Sequence, residues 1–170
     1  MSRTADSRAV GQELVASLRS GWRPTPMQPP FHMEPGEVCY SAHDTQVFQL
    51  LEGEGAWVKK RTYGIGLVPF AMMAGNMVGN SVRKRAAARD AQAAFRPIDG
   101  GKLFVTSQRL AVQGHQWIDL WYSNIRNSYC DEGAITLELS GSSPIQLRTW
   151  PACWVFAMLR YVAWGEVVSL

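Results

Sequence analysis

At 170 residues, 46% of them hydrophobic and seven of them Trp, the chain can bury a sizeable core, which excludes global disorder. Its net charge of +3 is too small, and its Arg residues too scattered, to form the basic face that nucleic-acid binding needs. Cys39, Cys130 and Cys153 show no CxxC spacing, so the expectation is buried reduced thiols in a cytosolic protein rather than a disulfide framework. The N-terminus, "MSRTADSRAVGQELVASLRS", lacks the apolar stretch of a secretory signal.

Residues 1–21 read as an N-terminal amphipathic helix, with Val10, Leu14, Val15 and Leu18 on one face, Asp6 or Ser7 as cap and Gly21 as stop. Residues 22–36 follow, with five prolines between 24 and 35. Proline removes donors and favours extended backbone, which makes this a stiff linker. A PxxP ligand is the alternative. From residue 37 the texture is β: "EVCYSA", "TQVFQLLE" and "AWVKKRTY" are separated by the turn signals "HD" and "EGEG". An Ala-rich stretch without proline runs from Pro69 to about Ala94 and predicts one long helix. Strands return in "KLFVTSQRLAVQG", "QWIDLWY", "NIRNSYC", "AITLELSG" and "PIQLRTW". Pro151 then opens a closing helix, "PACWVFAMLRYVAWGEVV", which is apolar on most sides. The sheet covers one side of it. Covering Phe156, Tyr161 and Trp164 falls to the N-terminal helix or to a second subunit.

Strands closed by one helix make an α+β domain. The segment "GGKLFVTSQRLAVQGHQWIDLWYSNI" resembles the bacterial GRAM and pleckstrin-homology-like domains, in which a "GxLxVTxxRLxF" strand precedes an "I/L-x-Y-x-x-I" segment and a "DGxxLxL" strand. Lys102–Leu110, Trp121–Ile125 and Asp131–Leu139 occupy those places, and "GEVCYSAHDTQVFQ" resembles the opening strand pair. The resemblance spans about residues 36–168. It implies two near-orthogonal antiparallel sheets closed by the C-terminal helix, here at 37–168 with a helical insertion at about 64–95. It also implies work as a binding platform for lipid headgroups or proteins. Such domains often cradle phosphates around the first hairpin loop. Here the early turns carry Asp44, Glu52 and Glu54, so phosphate binding there is not expected. Arg109, just past the Thr106–Gln108 turn, is expected to bond loop carbonyls or Thr106 rather than a ligand.

Residues 62–82 carry no charge, with Lys59, Lys60 and Arg61 before them and Arg83, Lys84 and Arg85 after. Twenty-one residues are long enough to span a bilayer. The composition, with four Gly, Pro69, two Asn and Ser81, argues against spanning. Ala71, Gly75 and Gly79 form a small-residue stripe suited to close helix packing. The reading is an insertion that docks on a partner helix or on a bilayer without crossing.

No catalytic constellation appears. His32, His43 and His115 are isolated, and "GIG" at 64–66 is too short a glycine signal for a dinucleotide. The expected function is that of a non-enzymatic module without cofactor or metal. It works as a peripheral adaptor at the inner face of the cell membrane, contacting anionic lipid through the two basic triplets. The alternative is a cytoplasmic, homo-oligomeric interaction protein that uses the small-residue stripe and the C-terminal helix as interfaces.

Overall fold

The computed structural model describes residues 3–51, 93–131 and 133–170. Contacts divide the chain into a framework, residues 1–50 with 95–170, and a second unit, residues 51–94. The framework is α+β. Helix α1 (Arg3–Arg19) is followed by strands β1 (Cys39–Leu51), β2 (Ala94–Thr106), β3 (Arg109–Gln113), β4 (Trp117–Trp121), β5 (Ile125–Asp131), β6 (Ala134–Leu139) and β7 (Ile145–Thr149), then by helix α2 (Ala152–Trp164). The strands form one curled antiparallel sheet in the order β4-β3-β2-β1-β7-β6-β5. The two sheets implied by the resemblance are thus hydrogen-bonded into one, with β1 as the shared central strand. This arrangement is compatible with a pleckstrin-homology-like fold. The expected inserted helix lies outside the described residues.

Alternation sets the register. Leu103↔Val112 and Val105↔Leu110 pair across the β2–β3 hairpin, and Ile135↔Leu147 and Leu137↔Ile145 pair across β6–β7. All but Ile145, at 7% exposure, are completely buried on the inner face. Val155, Met158 and Leu159 of α2 close that face, and Leu14, Val15 and Leu18 of α1 join the same core. Burying a Leu or Val in this way contributes about 1.5–3 kcal/mol. Gly165 ends α2 in the left-handed region (φ 69°), and the N–H groups of Gly165 and Glu166 bond the Tyr161 and Arg160 carbonyls. Glycine adopts that backbone without the Cβ penalty.

Two expectations are corrected. The "HD" signal at 43–44 is no turn, because β1 runs unbroken from Cys39 to Leu51. Tyr40 and His43, three positions apart, both pack toward the α2 side, Tyr40 in the main core and His43 against Trp154. An odd spacing on one face requires a break in the period of two between them. The chain therefore does not reverse there. The second correction concerns β2, which begins at Ala94 rather than near Lys102. The predicted helix therefore cannot include Ala94 or Phe95. Pro97 sits in the part of β2 beyond its Lys102–Val105 pairing with β3, so its missing N–H costs no bond there.

Candidate functional site

The segment before β1 lies across the outer face of β2–β4. Met27 bridges to Cys39, with its N–H 2.8 Å from the Cys39 carbonyl. Phe31 stands edge-on to Phe104 (5.0 Å) and to Trp117 (4.8 Å). At its end Glu37 enters the protein with a side chain that is 0% exposed. There it meets Arg109, which donates from Nε and from its second terminal nitrogen to the two carboxylate oxygens, each at 2.9 Å. The remaining guanidinium nitrogen pairs with Asp119 at 3.0 Å, and the guanidinium lies 4.8 Å from the Trp121 ring centre. The Thr106 hydroxyl is 2.7 Å from Glu37 Oε1 and accepts the Arg109 N–H at 3.0 Å. Tyr122 donates to the Thr106 carbonyl at 2.7 Å.

Burial alone would push the Glu37 carboxyl up; the hydrogen bonds from Arg109, Thr106 and the Glu34 N–H outweigh it and hold it below its ordinary range. Arg109 does bond Thr106, through its backbone. Its side chain, however, serves two carboxylates and no loop carbonyl. With its fork engaged and its face stacked, this arginine is structural.

A second polar centre holds β2 to the turn between β3 and β4. The Asp99 side chain is 5% exposed and accepts N–H groups from Gly100 (2.7 Å), Gln116 (2.9 Å) and His115 (3.1 Å). These backbone bonds, that of Gln116 foremost, keep its carboxyl well below the usual range. A Cβ on Gly114 would stand 2.6 Å from the carboxylate, which explains the glycine. Beside Asp99 opens a cavity of about 610 Å³ lined by Gln49, Pro97, Ile98 and His115 among others.

The imidazole of His43 is not oriented by Asp44, which pairs instead with Lys102 at 2.7 Å. Burial first, and then the Lys102 charge, lowers the His43 pKa, and its Nε2 has no hydrogen-bond partner among the described residues. Cys39 is fully buried beside Phe104 and Ala111. Among the described residues no three His, Cys, Asp or Glu gather as metal ligands, and no helix is long and apolar enough to cross a membrane.

Of the residues singled out by sequence, Lys59, Lys60, Arg61, Ala71, Gly75, Gly79, Arg83, Lys84 and Arg85 lie outside the described residues. Phe156, Tyr161 and Trp164 are in α2. Phe156 and Tyr161 are half-buried against the core, and Arg23 stands 5.8 Å over the Tyr161 ring. Trp164 is 39% exposed and has Arg160 over its face at 4.9 Å. The close approach of two helices that the sequence assigned to glycines 75 and 79 has a described counterpart at Gly11. A Cβ there would stand 2.8 Å from Cys153 Cβ and 2.9 Å from the Cys153 backbone carbon. Sequence reasoning also missed that Cys130 and Cys153 meet, with their sulfurs 3.5 Å apart. No local signal marks residues 23 positions apart as partners. Compared with protein-family models, with curated proteins and with solved structures, the chain finds no match.

Proposed function

We propose that the protein is a non-catalytic binding module that attaches to anionic membrane surfaces through the connection between β1 and β2. The observation that carries this reading is the distribution of charge over the connectivity. β1 is unbroken and neighbours β2, so residues 52–93 form a single connection between them. That connection holds seven of the 17 Lys and Arg residues and three of the 14 Asp and Glu, leaving ten against eleven for the rest. The whole positive excess of the chain therefore belongs to the connection that also contains the uncharged run 62–82. The acidic turn at 43–44, which argued against phosphate binding at the first hairpin, is part of a strand. The framework's buried Arg109 is committed to Glu37 and Asp119, so it is not available to a headgroup.

A Lys or Arg near an anionic bilayer contributes about 1 kcal/mol, so engaging three gives about 3 kcal/mol, roughly a hundredfold in partitioning. Exposed contacts of this kind weaken with salt. The protein is expected to sediment with phosphatidylserine-containing vesicles at low salt and not with neutral ones. Replacing Arg83, Lys84 and Arg85 by Ser is expected to release most of it with the fold intact. Equal partitioning of wild type and variant, or none, rejects the membrane reading and favours the oligomeric interaction protein.

A further inference from the structure

Cys130 in β5 and Cys153 in the first turn of α2 come from opposite sides of the core, yet the Cys130 thiol donates to Cys153 Sγ at 3.5 Å. Both cysteines are free and half-buried, and both line a cavity of about 600 Å³ together with Arg8, Tyr129, Asp131 and Phe156. Cys39, by contrast, has no exposed surface. A disulfide needs about 2.05 Å between sulfurs, so closure asks for an approach of about 1.5 Å. Side-chain rotation supplies movement on that scale. We propose that Cys130 and Cys153 are a reversible dithiol–disulfide site, closed by exchange with a low-molecular-weight disulfide admitted through the adjoining cavity.

The exchange balances in two steps. Cys153 Sγ, as thiolate, attacks one sulfur of the small disulfide, forming a mixed disulfide and expelling one small thiolate. Cys130 then gives up its proton to the expelled thiolate and attacks Cys153 Sγ, expelling the second small thiolate, which takes from water the proton that Cys153 had lost. Two cysteine thiols are oxidised to one disulfide, and one small disulfide is reduced to two thiols. Burial foremost, and then the hydrogen bond to Cys153, pushes the Cys130 thiol up to about 12, so it remains protonated at neutral pH and acts second. Arg8 lines the cavity and suits a reagent that bears carboxylates.

The test treats the folded, reduced full chain with glutathione disulfide, alkylates the remaining thiols and digests without reductant. A cross-linked Cys130–Cys153 peptide is expected, with an intact mass lower by two hydrogens and Cys39 alkylated only after unfolding. Cys130→Ser is expected to stop at a glutathione adduct on Cys153. The wild-type cross-link is read without any variant, so the result does not depend on how the variant folds. The proposal is overturned if no such peptide forms, if it forms only in urea, or if Cys39 takes part in the cross-link.

Discussion

The two faces of the sheet are closed in different ways. Helix α2 closes the inner face with α1 packed against it, and Leu14, Val15 and Leu18 join Val155, Met158 and Leu159 in one hydrophobic core there. A non-helical segment closes the outer face of β2–β4 and brings a buried carboxylate with it. The difference follows from where backbone polar groups find partners. A helix bonds its own N–H and C=O groups and can lie on an apolar surface at no polar cost. An extended segment cannot, so it must either carry few donors or reach its neighbours. This one does both. Five of the residues from 24 to 35 are prolines without an N–H. Of the donors left, Met27 bonds Cys39, Glu34 bonds the Glu37 carboxylate, and past Gly36 the Val38 N–H reaches Ser107 Oγ. The stiff linker read from the prolines is at the same time a cover.

The contrast is broken most forcefully at Arg109. Arg109→Met leaves Glu37 buried without its partner, a change that costs about 3–5 kcal/mol for buried ion pairs. Urea unfolding is expected to show that loss, and Glu37→Gln added to Arg109→Met is expected to recover a large part of it. If the double variant is no more stable than the single, the outer face does not depend on pairing that charge.

On the helical side the matching variant is Gly11→Leu. Its side chain would be driven into Cys153 and Leu170, where even a Cβ has no room. Overpacking of this kind costs on the order of 1–3 kcal/mol. Thermal melting at neutral pH measures it, and an unchanged midpoint would show that α1 can ride away from α2 freely.

The smallest effect sharpens the comparison by pH. Glu37 has a folded pKa below its unfolded value, so its contribution is fully present above the unfolded pKa, about 4.3. It is lost as pH falls through the lower, folded value. Stability of the wild type is expected to decline across that acid window more steeply than that of Glu37→Gln. The loss is smaller than in Arg109→Met because a protonated carboxyl still hydrogen-bonds Arg109 and Thr106. Parallel profiles would assign the acid sensitivity elsewhere, with Asp99 the next carboxyl to replace.

How much of this could be read beforehand depends on whether the cause was local. Alternation in 102–113 and 134–139 marks strands, because the same residues that pattern the sequence fill the core. The α2 stop at Gly165 is local chemistry as well. The strand at 43–44 reads as a turn in the sequence, since "HD" carries turn propensity whether or not the chain reverses. Residues 94–101 do not read as strand because Ala94, Pro97, Gly100 and Gly101 hide a segment that its neighbours hold in place. Arg109 was identified as structural, but its partner Glu37 lies 72 positions away, and nothing near either residue announces the other. Separation concealed the cysteine pair as well, although it is only 23 positions. The basic triplets were legible as charge alone, and their sense depends on the connectivity of β1 and β2.

Pro151 offers no side-chain oxygen to the first turn of α2, and Ser7 of α1 supplies one, accepting the Cys153 N–H at 3.1 Å. The donor and acceptor are 146 positions apart. On the ribosome, residue 7 emerges long before residue 153 is made, so α1 must wait for α2 with Leu14, Val15 and Leu18 uncovered. The α1–α2 contact thus joins two segments that are made far apart in time. Contacts of such separation carry the largest loop-closure cost and slow folding. For a nascent chain, that interval is when a chaperone would find α1 most exposed.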